Sequence, residues 1–174
     1  MEAPHVRYVP WSRAAPWLIL LAGALAYSNS FSVPFVFDDH ESIEANPHIQ
    51  TLWPPSNWFK APPRVATDGR PIATLSFAVN HILGGLDVRG YHVFNLAIHL
   101  AAALLLYGIA RRTFSGRRLA DRFGPSADGL ALAIALLWVA HPLQTESVTY
   151  ISTRTESLMG FFYLFALYAF LRSA

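Results

Sequence analysis

Asp38 and Asp39 stand side by side in Phe37-Asp38-Asp39-His40-Glu41, just after the first long apolar run of the chain. Adjacent carboxylates repel, which favours a proton on one of them and makes the pair a candidate general base. The same oxygens suit a divalent cation, and a solvated turn ending a helix accounts for them equally. Arg70, in Asp68-Gly69-Arg70-Pro71, opens a short helical pattern. A helix start with a guanidinium suits a phosphate; a plain turn before a helix-starting proline is the simpler alternative. His92, Asn95 and His99, at i, i+3 and i+7, share one helical face. No carboxylate joins them there, so interhelical hydrogen bonding is expected rather than zinc ligation. The last group is His141-Pro142-Leu143-Gln144-Thr145-Glu146 followed by Arg154 and Glu156. Ionisable groups beside apolar runs must face protein or a wet cavity. They form structural salt bridges, or Arg154 takes an anionic head group that Glu146 or Glu156 orients.

The segments that carry these residues read as membrane spans. The chain has 174 residues, 53% hydrophobic and 14% charged, where a soluble domain carries about 25% charged. Disorder is excluded by the same composition. An all-α membrane protein of about four transmembrane helices is expected, at 16–31, 91–110, 129–148 and 156–172, roughly 20 residues each. Ala24-Leu25-Ala26 also resembles a signal-peptide cleavage site. The proline-rich segment 32–90 is too polar to span and forms an outward loop, with Trp53, Trp58 and Phe59 suited to the lipid interface. Within it, Ile72, Leu75, Val79, Ile82, Leu83 and Leu86 recur at near-helical spacing, predicting an amphipathic surface helix from Pro71 to Gly84. The loop 111–128 carries Arg111, Arg112, Arg117, Arg118 and Arg122 and is cytoplasmic by the positive-inside rule, which places both termini in the cytoplasm.

This topology brings nearly all the unusual polar residues to the outward side. Two loops could then close over one polar site at the bilayer surface, open to a charged-headed lipid and to a hydrophilic acceptor. A transporter is disfavoured, because the polar residues avoid the membrane midplane. With no cysteine, disulfides, thiolate nucleophiles and cysteine-bound zinc are excluded. No Gly-rich phosphate loop or aromatic-interleaved basic stretch is present, so nucleic acid is not an expected partner.

The ordered set Phe35-Val36-Phe37-Asp38-Asp39, Asn46-Pro47, Gly69-Arg70-Pro71, Leu75-Ser76-Phe77 with Asn80, His92 with Asn95 and His99, His141-Pro142, Thr145-Glu146-Ser147-Val148, and Arg154 with Glu156 is similar to the transmembrane and TPR-repeat-containing O-mannosyltransferases and their bacterial relatives. These are GT-C glycosyltransferases. The resemblance covers roughly residues 30–170. It implies transfer of a sugar, mannose by analogy, from a membrane polyprenyl-phosphate carrier to a protein Ser or Thr hydroxyl. Asp38 or Asp39 would be the catalytic base, Arg154 and then Arg70 the phosphate ligands, with Glu146, Glu156 and His141 beside them. No cofactor is required by this scheme, although Asp38 and Asp39 could hold a divalent cation. Two departures stand out: the family's Gly-Arg-Ala-Asp or Gln-Arg-Ala-Glu is here Thr153-Arg154-Thr155-Glu156, and His40 follows the aspartates where a basic residue is usual. The resemblance further implies that these residues are the N-terminal part of a longer module, whose other spans and TPR array lie in the full-length protein. The alternative is a non-catalytic membrane scaffold or an inactive truncated fragment. The Arg-rich wording suggests a bacterial cytoplasmic membrane; in a eukaryote the same topology belongs to the endoplasmic reticulum.

Overall fold

A computed structural model describes residues 11–60 and 65–173. Helix α1 spans Trp11–Ala26, so Pro16 lies inside it rather than in its first turn. It stops short of residue 31. Ser28 Oγ donates to the Leu25 carbonyl (2.9 Å) and Ser30 Oγ to that of Tyr27 (2.8 Å). Such side-chain-to-backbone bonds offer the chain an alternative to the helical ladder.

Helix α2 is Pro71–Gly84 and α3 is Val88–Ser115, with Asp87 capping α3 by accepting from the Arg89 N–H (3.1 Å). The short α4, Ala120–Phe123, leads through a 3₁₀ turn into α5, Ala127–Val139. The expected third span, 129–148, therefore breaks early. Ala140 and the extended His141 before Pro142 end the helix, because a residue preceding proline disfavours the α region. A one-turn α6, Thr145–Thr149, and a 3₁₀ turn at Ile151–Thr153 follow, and α7 runs Arg154–Ser173.

All regular elements among the described residues are helical. Among the described residues two stretches are long and apolar enough to cross a membrane: α3, and the α4–α5 rod from Ala120 to Val139. At 16 residues α1 is shorter than a full span, and α7 carries Arg154, Glu156, Tyr163, Tyr168 and Arg172 along its length. The bundle core is built from small residues, with Ala15 and Ile19 of α1 against Ala103 of α3 and Ala131, Ala135 and Val139 of α5. Small side chains allow the close helix approach typical of membrane bundles. At Gly108 an added Cβ would lie 2.7 Å from the Tyr168 ring, so α7 can approach α3 only because that position is bare. The outside is apolar as well, with Trp17, Leu21 and Leu25 of α1, Leu137 of α5 and Met159, Tyr163 and Phe170 of α7 exposed.

Helix α2 occupies its expected range but turns the opposite way from a soluble amphipathic helix. Its packed face is Ala73, Ser76, Phe77 and Asn80, while Ile72, Ile82 and Leu83 point outward. The reason lies in what α2 covers, the buried guanidinium of Arg154.

Candidate functional site

Arg154 opens α7 and is completely buried. Every nitrogen of its guanidinium donates to protein. Nε reaches Asn95 Oδ1 at 2.6 Å, Nη1 reaches Asn80 Oδ1 at 2.6 Å and the Ser76 carbonyl at 3.2 Å, and Nη2 reaches the Tyr91 carbonyl at 3.0 Å. Its planar cation lies over Phe77 (4.3 Å), Phe94 (4.7 Å) and Tyr91 (5.7 Å). Among the described residues no carboxylate is hydrogen-bonded to it; amide and backbone carbonyls and ring faces contact the cation directly, and the Asp39 carboxylate favours its charge from farther off. The expectation that Arg154 grips a lipid phosphate therefore meets a residue with no open face. Its geometry is that of a keystone joining α2, α3 and α7.

The polar stripe of α3 holds together the segment after α1 and the segment between α5 and α7. His92 Nε2 donates to the Val33 carbonyl (2.9 Å), and Asn95 Nδ2 donates to that of Ile151 (3.3 Å). His99 Nε2 donates to the Val139 carbonyl at the broken end of α5 (3.0 Å), and its ring stacks on Trp138 with centroids 4.6 Å apart. These are interhelical and helix-to-loop hydrogen bonds, and among the described residues no cluster of three or more metal-ligating side chains forms.

The adjacent aspartates have opposite environments. Asp39 is 1% exposed. Its Oδ1 accepts from the Ser152 N–H (2.7 Å) and its Oδ2 from the Val36 N–H (3.1 Å), pinning the segment after α1 to the one before α7. Asp38 is exposed. Its own N–H donates to the Tyr150 hydroxyl (3.2 Å), and the preceding Phe37, at φ 46°, turns the backbone so that the pair splits, one side chain in and one out. Burial pushes the Asp39 carboxyl above the ordinary carboxylate range, opposed by the backbone N–H groups of Val36 and Ser152. A raised folded-state pKa contributes stability at acid pH that is lost as pH rises through it. The thermal midpoint of the wild type should therefore gain on that of Asp39→Asn as pH falls from 7 towards 4; equal slopes would rule out Asp39 as the titrating group.

At the start of α7, Glu156 meets Arg70 at the start of α2, Oε1 to Nη1 3.0 Å. Both side chains are about half exposed, and Arg70 also donates to the Ala66 carbonyl (3.2 Å). Below this pair lies a groove of about 340 Å³ between α2 and α7, floored by Ile72, Leu158, Met159 and Phe162. One end is thus a cation with its counter-ion and the rest is hydrocarbon. Asp39 attaches at Ser152 and Arg70 at Glu156, four residues later in the chain. The other predicted site residues stay apart from this groove. His141 is exposed and caps its own turn by accepting from the Leu143 N–H (3.2 Å). Glu146 is exposed and contributes its carbonyl, which accepts from Thr153 Oγ1 (2.7 Å). Sequence reasoning quoted Ser76, Phe77 and Asn80 without giving them a task, and it missed Tyr150. The signal was present in Ser76 and Asn80, polar at i and i+4 on one face of a mostly apolar short helix.

The chain is 32% identical over 170 residues to human protein O-mannosyl-transferase TMTC4, covering 85% of this chain and 22% of that protein. It is 31% identical over 182 residues to mouse protein O-mannosyl-transferase TMTC1, covering 98% of this chain and 18% of that protein. A third relative, Drosophila melanogaster protein O-mannosyl-transferase Tmtc1, is 30% identical over 154 residues, covering 84% of this chain and 17% of that protein. The chain belongs, distantly, to the protein O-mannosyl-transferase family. It spans about a fifth of the length of these curated relatives. No family model and no solved structure matches it. In this chain the buried Arg154 cradle joins α2, α3 and α7, while the side chains of Asp38 and Arg70 are exposed.

Proposed function

We propose that this chain is the N-terminal part of a GT-C-type glycosyltransferase that moves a sugar, mannose by its relatives' name, from a polyprenyl-phosphate donor to a protein Ser or Thr hydroxyl at the outer membrane surface. The observation that carries this reading is the α2–α7 groove, because a polar mouth at Arg70 and an apolar floor match a phosphate followed by a lipid tail. In the reaction, Asp38 accepts the hydroxyl proton as that oxygen attacks the sugar C1. The C1–O bond to the phosphate breaks with its electron pair on the phosphate oxygen, and the anomeric centre inverts. Arg70 stabilises the charge that develops on the leaving phosphate, with Glu156 holding its guanidinium at the mouth until the donor arrives. No metal is needed; a cation bridging Asp38 and Asp39 would have to displace the N–H donors of Asp39. Four membrane-crossing segments formed by α1, α3, α4–α5 and α7, with cytoplasmic termini, would place both outward segments beside this groove. A bacterial cytoplasmic membrane fits the Arg-rich composition, and the remaining spans and TPR array would belong to the full-length protein.

The test is Arg70→Gln in the complete protein, assayed with a polyprenyl-phosphate sugar and an acceptor peptide. Loss of a charge-assisted phosphate contact of about 1.5–3 kcal/mol should raise the donor KM about tenfold or more. An unchanged donor KM would remove the groove from the reaction.

A further inference from the structure

The end of the bundle opposite the aspartates carries a second built site. A cleft of about 430 Å³ opens between α1, α3 and α7, lined by Leu104, Tyr107, Arg111, Arg112, Ser115 and Tyr168. Tyr107 is 7% exposed and its hydroxyl is buried without a hydrogen-bond partner among the described residues. An orphaned buried hydroxyl is costly unless something satisfies it. Arg112 lies over the Tyr168 ring (5.6 Å), and no hydrogen-bond acceptor among the described residues takes its N–H groups. Arg111 is bonded through Nε to Asp128 (2.5 Å), which leaves its other nitrogens free of a described partner. No acidic side chain lines the cleft. Its neighbour, which shares Arg112, adds Arg117 and Arg118. The cleft therefore presents donors and positive charge to a ligand that must supply acceptors and negative charge.

We propose that this cleft binds the phosphate of an anionic phospholipid in the leaflet opposite the proposed transfer site. Tyr107 and Ser115 donate hydroxyl hydrogen bonds to it and Arg112 neutralises it. A lipid is favoured over a free anion by position. Twenty residues separate His92 from Arg112 on α3, a rise of about 30 Å, the thickness of a bilayer core. With His92 at the outward surface, Arg112 sits at head-group depth on the other side, and Leu104 lies about two turns deeper, beside an acyl chain. Basic pockets between spans on the cytoplasmic side are suited to acidic head groups. The inference needs the membrane placement of α3 but not the transfer reaction.

Native mass spectrometry of the chain in a neutral detergent, with phosphatidylglycerol or phosphatidylcholine added, tests it. One phosphatidylglycerol should remain bound where phosphatidylcholine does not. Tyr107→Phe, which keeps the ring in the core, should lower the apparent affinity about tenfold. Arg112→Gln, at an exposed position, should do the same with helicity unchanged by circular dichroism. Excess inorganic phosphate should not displace the lipid. Equal retention of both lipids, or wild-type affinity in both variants, would overturn the proposal. Full displacement by inorganic phosphate would overturn the lipid assignment and make this a soluble-anion site.

Discussion

Replacing Arg154 with alanine should strongly destabilise the folded chain, since each buried acceptor left without a donor costs about 1–3 kcal/mol. The loss would leave Asn80 Oδ1, Asn95 Oδ1 and the Ser76 and Tyr91 carbonyls without their donor, in a site closed to water. Arg154→Lys should recover only part of this. An ammonium has no planar fork to bond acceptors on two helices at once and no flat face for Phe77 and Phe94. Thermal unfolding in detergent reads both variants against the wild type. A fall in midpoint for alanine with partial recovery for lysine is the expected order. Equal stability of all three would mean that α2, α3 and α7 hold together without the cradle.

Asp38→Asn, in the complete protein, should lower the turnover of sugar transfer by about 10²–10⁴, the usual contribution of a positioned base, with little change in donor KM or stability. Asp38 is exposed and only its backbone N–H is engaged. Asp39→Asn should behave differently. Its carboxylate accepts at both oxygens from backbone donors of two segments, and an amide NH₂ cannot accept, so these two segments should loosen. A KM-against-kcat split distinguishes the roles, since a base affects kcat and a loosened groove affects both. Turnover retained in Asp38→Asn would assign the proton to another group.

The stripe of His92, Asn95 and His99 was legible because helical spacing alone puts these residues on one face. The limits of α2 were legible because Pro71 and Gly84-Gly85 bracket it. Its orientation was not. An apolar face normally points to the protein core, and here the core at that level is a guanidinium, so α2 gives it Ser76 and Asn80 and turns Ile72 and Leu83 outward. Nor was the split of Asp38 from Asp39 legible, since it depends on the positive φ at Phe37 and on a backbone N–H that lies 113 residues away. Arg154 misled for the same reason. A charge at a span boundary suggests a ligand, and only the packed structure reveals that its acceptors lie 59 to 78 residues earlier in the chain.

That separation has a consequence for biogenesis. The acceptors at Ser76, Asn80, Tyr91 and Asn95 leave the ribosome before the arginine that satisfies them. A chain ending before residue 154 has all of these acceptors and no guanidinium to bond them. Chains truncated just before Arg154 should therefore be digested by an added protease faster than chains extending through α7.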